Sequence, residues 1–223
     1  MKILILAAMD KEVALLENLI DSPRESSIGC SKTIVGKVGP HDIIISKCGI
    51  GKVNSALNAY RLISLLRPNL LLNSGVAGGA GIPIGSVLVA DRIVYSYVWC
   101  GPGTIYGQAD GIPLYLKPSE EVLKIAENSD ANITRGLICS SDKFITTADE
   151  ISFIRSKFPE VKAVDMESAS IAQTCFMTAT PFAVVRVVSD TPGEGENISQ
   201  YKNFWKEAPE KTFSVLSEII KKL

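Results

Sequence analysis

Histidine is almost missing from this chain: His41 is the only one among 223 residues. One imidazole removes histidine-rich metal sites, and "GPHDII" reads as a surface turn entering a strand, which argues against a Ser-His-Asp triad. Cysteine is sparse and scattered. Cys30, Cys48, Cys100, Cys139 and Cys175 are odd in number and form no Cys-x-x-Cys pair. Neither a disulfide framework nor a zinc knuckle is expected, and reduced thiols of a cytoplasmic protein are. Charge of one sign is also lacking: 23 Lys and Arg face 24 Asp and Glu, a net charge of −1. With no basic block, a nucleic-acid partner is not expected. No apolar run reaches the roughly 18 residues of a membrane span, and "MKILILAAMDKEV" meets charge too early for a signal peptide. A G-x-G-x-x-G fingerprint is absent, and "GIGK" fails the Walker spacing. The partner is expected to be small, and the chemistry to rest on carboxylates.

What is present is an alternation of short apolar runs with amphipathic segments. Strands are expected at "KILILAA", "DIIISKCG", "NLLLNSG", "SVLVADRIVYSYV", "RGLICSS" and "PFAVVRVVSD". Helices are expected at "KEVALLENLI", "KVNSALNAYRLISLL", "SEEVLKIAENS", "ADEISFIRSKF", "MESASIAQTCF" and "FWKEAPEKTFSVLSEIIKKL". The order implies an α/β fold, a mixed central sheet with helices on both faces, in one domain over 1–223. "CGPGTIYGQADGIP", rich in Gly and Pro, reads as a long loop.

Ligands of open α/β sheets gather beyond the carboxyl ends of strands, so the strand ends matter most. "AAMDKE" puts Asp10 and Glu12 at the first strand-to-helix turn, where they either complement a helix dipole or serve a site. "CGIGKVNSA" and "NSGVAGGAG" permit tight turns and close approach to the backbone. "ICSSDKFITTADE" sets Phe144 and Ile145 just past a strand, where a ring either stacks on a planar base or packs in the core. In "AVDMESASIAQTCF", Asp165 suits an N-cap, leaving Glu167 to point into a cavity or to face water from a first turn. Arg186 in the apolar run "AVVRVVSD" is costly unless buried carboxylates such as Glu12 or Glu167 neutralise it. Ser189 and Asp190 end that strand.

Together "AAMDKEVALL", "GIGKVNSA", "NSGVAGGAG", "SSDKFI", "VDMESASIA" and "PFAVVRVVSD" resemble the bacterial methylthioadenosine/S-adenosylhomocysteine nucleosidases of the purine nucleoside phosphorylase superfamily. The related futalosine hydrolases of menaquinone synthesis share much of this order. The resemblance implies a nucleoside phosphorylase-like fold and hydrolysis of the N-glycosidic bond of a 5′-modified adenosine, as in methionine salvage, with no metal or cofactor. It implies that Asp190 protonates N7 of the departing adenine and that Glu12 activates water. Glu167 would hold the ribose hydroxyls and Met166 would pack on the sugar. Phe144 would stack on the base, with the Ile145 backbone at its edge. Ser189 would orient Asp190, and Arg186 would arrange water and carboxylates and keep Glu12 ionised. Ala8, Met9, Ile50 and Gly78 would complete the substrate-binding wall. A homodimer is implied as well.

The match departs at two places. Val76 stands where these nucleosidases usually have Ser, and "WCGPGTIYGQADG" replaces the His-Asp pair and aromatic run of the region that helps form the 5′ pocket. Futalosine or aminodeoxyfutalosine hydrolysis is therefore an alternative. A phosphorolytic nucleoside phosphorylase and a catalytically silent nucleoside-binding protein are others; acidic Glu12 and apolar Val76 speak against phosphate entry.

Overall fold

The computed structural model describes residues 1–128, 132–207 and 211–223, without the side chains of 206, 207 and 211–214. In chain order its elements are β1 (Lys2–Ala7), α1 (Asp10–Glu17), β2 (Asp21–Ile28), β3 (Ser31–Val38), β4 (His41–Lys47), α2 (Lys52–Leu66), β5 (Leu70–Gly79) and β6 (Val87–Tyr95). They continue with α3 (Glu120–Glu127), β7 (Ile133–Ser140), α4 (Ala148–Lys157), β8 (Val161–Asp165), α5 (Ser168–Met177), β9 (Phe182–Asp190), α6 (Asn197–Glu207) and α7 (Lys211–Lys222).

Among the described residues this is a single-domain α/β fold built on one mixed nine-stranded sheet, ordered β2-β3-β4-β1-β5-β8-β7-β6-β9. The sheet is more closed than an open doubly wound one. β9 pairs with β6 antiparallel and with β5 in parallel, so β5, β8, β7, β6 and β9 form a ring from which β1, β4, β3 and β2 extend. Every residue of β9 is buried, as its apolar run requires, because both flanks and both edges are covered. Apolar clusters fill the two sides of the sheet. One joins Ile3, Ile5 and Val185 to Leu216 and Ile219 of α7, and another joins Leu4, Leu6 and Val184 to Leu62 of α2 and Ile171 of α5.

Several expectations shift. β2, "DSPRESSI", is exposed along nearly its whole length and pairs only with β3, so it carries no apolar alternation to announce it. β3 and the five-residue β8 were likewise outside the expected strands. His41 opens β4, but its side chain is buried, with Nδ1 3.2 Å from the Met1 amino group, so it is no surface residue. The helix expected from Phe204 to Leu223 is replaced by α6, starting earlier at Asn197, and α7; residues 208–210 lie outside the described residues.

The sheet closes where β5 changes neighbours. A register shift between Ala77 and Gly78 sets Gly78 opposite both Asp190 of β9 and Val164 of β8. A Cβ on Gly78 would lie 2.6 Å from Pro192 Cγ and 3.2 Å from Val164 Cγ2. Gly78→Ala therefore overpacks the closure by about 1–3 kcal/mol and should lower the melting temperature by roughly 3–10 °C in calorimetry; an unchanged melting temperature would contradict this packing.

Candidate active site

A cavity of about 490 Å³ opens beyond the carboxyl ends of the strands. The turn after β1 contributes Ala8 and Met9, the first turn of α1 contributes Glu12, the turn after β4 contributes Ile50, and β5 contributes Val76, Ala77 and Gly78. Phe144 follows β7, Val164 to Glu167 close β8, and Ser189 and Asp190 end β9. Thus ten of the twelve residues anticipated for the site line one cavity. Ile145 and Arg186 do not: Ile145 is buried beside it, and Arg186 lies behind its floor.

Glu12 does two things at once. Its position in the first turn of α1 lets Oε2 accept the N–H groups of Ala8 and Met9, each at 2.9 Å, so it satisfies orphan donors at the helix start. Oε1 accepts the Val76 N–H at 3.2 Å. That bond comes from the backbone, so the loss of a hydroxyl at position 76 leaves it intact. The chain approaches so closely here that a Cβ on Gly75 would lie 2.7 Å from Oε1. Burial raises the Glu12 pKa, and the charge of Arg186 and the three N–H donors oppose the rise.

Arg186, 2% exposed, is neutralised by Asp165, not by Glu12 or Glu167. Its Nη2 and Nε donate to Asp165 Oδ2 at 2.9 and 3.1 Å. Nη2 also donates to Ser168 Oγ at 2.9 Å and to Asn73 Oδ1, while Nη1 donates to the carbonyls of Asn73 and Val185. Asp165 in turn accepts from the hydroxyls of Ser140 and Ser168 and from the Ser168 N–H, but the N-cap of α5 is Glu167 and not Asp165 as expected, because Asp165 still ends β8. From sequence, a carboxylate just before a helix looks the same whether or not a guanidinium stands behind it. Arg186 acts on Glu12 and Glu167 through space, favouring their charged forms.

Glu167 is buried, and its Oε1 accepts the Gly51 N–H at 2.9 Å. Burial, then the Asp165 charge, push its pKa up to about 7. Asp190 is wholly buried. Ser189 Oγ donates to its Oδ1 at 2.7 Å, and Asn197 Nδ2 donates to its Oδ2 at 3.2 Å. Burial raises the Asp190 pKa, and the two hydrogen bonds oppose the rise. The Ile145 carbonyl is taken by Asn197 Nδ2 at 3.1 Å.

The far wall is α6, whose first two turns, 197–203, lie before the helix expected from Phe204. It supplies Ile198, Tyr201 and Lys202 to the cavity and Asn197 beneath it. The Tyr201 ring meets Phe144 edge to face at 5.5 Å, so the exposed Phe144 ring is steadied from one side and open on the other. The available signal was Asn197 itself, a helix-start residue after the Gly-rich "TPGEGE".

The sequence profile of the phosphorylase superfamily matches residues 2–221. A relative from Geobacillus sp. (strain WCH70), named 5′-methylthioadenosine/S-adenosylhomocysteine nucleosidase, is 35% identical over 231 residues, covering 100% of this chain and 99% of its own. One of the same name from Listeria monocytogenes is 34% identical over 232 residues, covering 99% of both chains. Among solved structures, the S. pneumoniae nucleosidase with the transition-state inhibitor MT-ImmA superposes with a TM-score of 0.93 at 34% identity over 99% of both chains. A futalosine hydrolase mutant of Helicobacter pylori strain 26695 superposes with a TM-score of 0.91 at 26% identity, over 100% of this chain and 99% of its own.

Two tests follow from the electrostatics. Arg186→Met leaves Asp165 buried and unpaired and should cost about 3–5 kcal/mol in urea denaturation, whereas adding Asp165→Asn should recover part of that loss. Additive losses would contradict the pairing. Glu167 holds protons in the folded state between its ordinary pKa of 4.5 and about 7, so stability falls as pH rises through that window and the whole penalty is present above it. Glu167→Gln should therefore melt higher than the parent at alkaline pH and converge with it near pH 4.5; parallel curves at all pH would refute this.

Proposed function

The chain belongs to the phosphorylase superfamily and, within it, to the family of the 5′-methylthioadenosine/S-adenosylhomocysteine nucleosidases, and on that premise we propose that it hydrolyses the N-glycosidic bond of 5′-modified adenosines, releasing adenine. The observation that carries this reading is the convergence of Glu12, Glu167 and Asp190 on one cavity of nucleoside size, each with a raised pKa.

Cleavage at an anomeric carbon builds an oxocarbenium-like cation and an electron-rich purine. Asp190, whose pKa burial raises, donates to N7 so that adenine leaves neutral. Glu12, held on three N–H donors and favoured as the anion by Arg186, takes a proton from the attacking water and stabilises the cation. Glu167 accepts from the ribose hydroxyls, Met166 packs on the sugar, and Phe144 stacks on the base. Ala8, Met9, Ile50 and Gly78 complete the wall, and Ser189 orients the acid.

Water is favoured over phosphate as nucleophile. All the guanidinium nitrogens of Arg186 are committed to Asp165, Ser168, Asn73 and Val185, and Glu12 would repel a phosphate dianion. A cytoplasmic homodimer belongs to the same reading. Trp99 and Ile105 of the 96–119 loop, and Val53, Leu57 and Tyr60 along α2, are exposed apolar side chains that a second copy would cover. Among the described residues no helix is long and apolar enough to cross a membrane.

The test is a panel of methylthioadenosine, S-adenosylhomocysteine, 5′-deoxyadenosine, futalosine and aminodeoxyfutalosine, each with and without phosphate. Adenine release independent of phosphate is expected from methylthioadenosine or S-adenosylhomocysteine; preference for a futalosine would shift the 5′ assignment, and dependence on phosphate would overturn hydrolysis. Asp190→Asn should lower kcat about 10²–10⁴-fold with KM little changed, because an amide cannot deliver the proton. Near-normal turnover would remove Asp190 from the role of acid.

A further inference from the structure

We propose that Asn197 is a positioning residue for the acid: its side-chain amide fixes the Asp190 carboxyl against the base site and ties it to the segment carrying Phe144. The proposal rests on the reading of Asp190 as proton donor.

Asn197 is the first residue of α6 and is 3% exposed. Its Nδ2 carries two hydrogens and meets two acceptors, the Ile145 carbonyl at 3.1 Å and Asp190 Oδ2 at 3.2 Å. The opposite amide orientation would turn an oxygen toward two acceptor oxygens, so the network itself selects this one. On the other side of the carboxyl, Ser189 Oγ donates to Oδ1 at 2.7 Å. A carboxyl gripped at both oxygens cannot swing about its terminal torsion, and the lone pairs left over are those available to the cavity, where the purine would lie.

The amide also sets how readily the proton leaves. A donor on Oδ2 favours the carboxylate over the carboxylic acid, against the effect of burial. Asn197 thus works against burial and lowers the cost of releasing the proton to N7. The same contact joins three parts of the site: the end of β9, the stretch after β7 that bears Phe144, and α6 with Ile198 and Tyr201 on the cavity wall. Seating of that wall and orientation of the acid are one event.

The experiment compares Asn197→Leu, which removes both donors at similar volume, and Asn197→Asp, which keeps the shape, with the parent. Carbon-13 NMR titration of the Asp190 carboxyl in the substrate-free protein, assigned with Asp190→Asn, should show its pKa rising by roughly half a unit to one unit in Asn197→Leu, and more in Asn197→Asp, where a second carboxylate stands beside it. On the nucleoside that the parent cleaves, kcat should fall about 10- to 100-fold with KM within roughly threefold, and the alkaline limb of kcat/KM should move up in pH by the NMR shift. An unmoved Asp190 titration in both variants would overturn the proposal, as would a loss of kcat with the alkaline limb in place, the mark of a merely structural role. If Asn197→Leu does not fold, Asn197→Asp decides by the same readouts. A parent inert on every nucleoside would refute the proposed function instead, and the NMR shift would still decide the contact.

Discussion

One buried ion pair underlies the rest of the site. Arg186 and Asp165 sit 2.9 Å apart with almost no exposure, and the desolvation of two charges is tolerable only because every remaining donor and acceptor finds a partner. Asn73 of β5, Ser140 of β7, and Ser168 of α5 complete the network. It therefore pins β5, β7, β8, β9 and α5 to one another immediately below the cavity floor. The strand ends that carry Glu167, Ser189 and Asp190 inherit their places from it.

The pair also sets the charge balance above it. Because Asp165 takes the guanidinium directly, the cavity carboxylates feel Arg186 only through space, and burial prevails at Glu12 and Glu167. At Asp190 burial raises the pKa and two neutral donors restrain it. Chemically similar side chains so come to lie in different surroundings. Glu12 is wrapped by three backbone N–H groups, which suit an anion, whereas Asp190 has a hydroxyl and an amide, which leave its acid form accessible.

The site was legible where chemistry is confined to strand ends. Glu12, Glu167 and Asp190 stand out because carboxylates next to fully apolar strands need a reason to be there, and α2 was readable to the residue because its apolar spacing runs unbroken from Lys52 to Leu66. Other features had no local signature. The partner of Arg186 depends on which strand lies beside β9, and the closure of the sheet through β6 and β5 is a long-range event that no window of residues records. β2 stayed hidden because an exposed edge strand is polar on both faces. Asn197 and Tyr201 were missed although Ile198, Tyr201, Phe204 and Trp205 keep helical spacing, because the helix was expected to open only at Phe204, and only the fold brings it over Phe144.

In the proposed reaction two buried carboxylates of one cavity act in opposite protonation states, Glu12 as anion and Asp190 as acid. The most direct measurement is the pH profile of kcat/KM for the parent, Glu12→Gln and Asp190→Asn. A bell-shaped parent profile is expected, with residual activity losing its acid limb in Glu12→Gln and its alkaline limb in Asp190→Asn. A flat parent profile, or limbs that persist unchanged in both variants, would contradict the account.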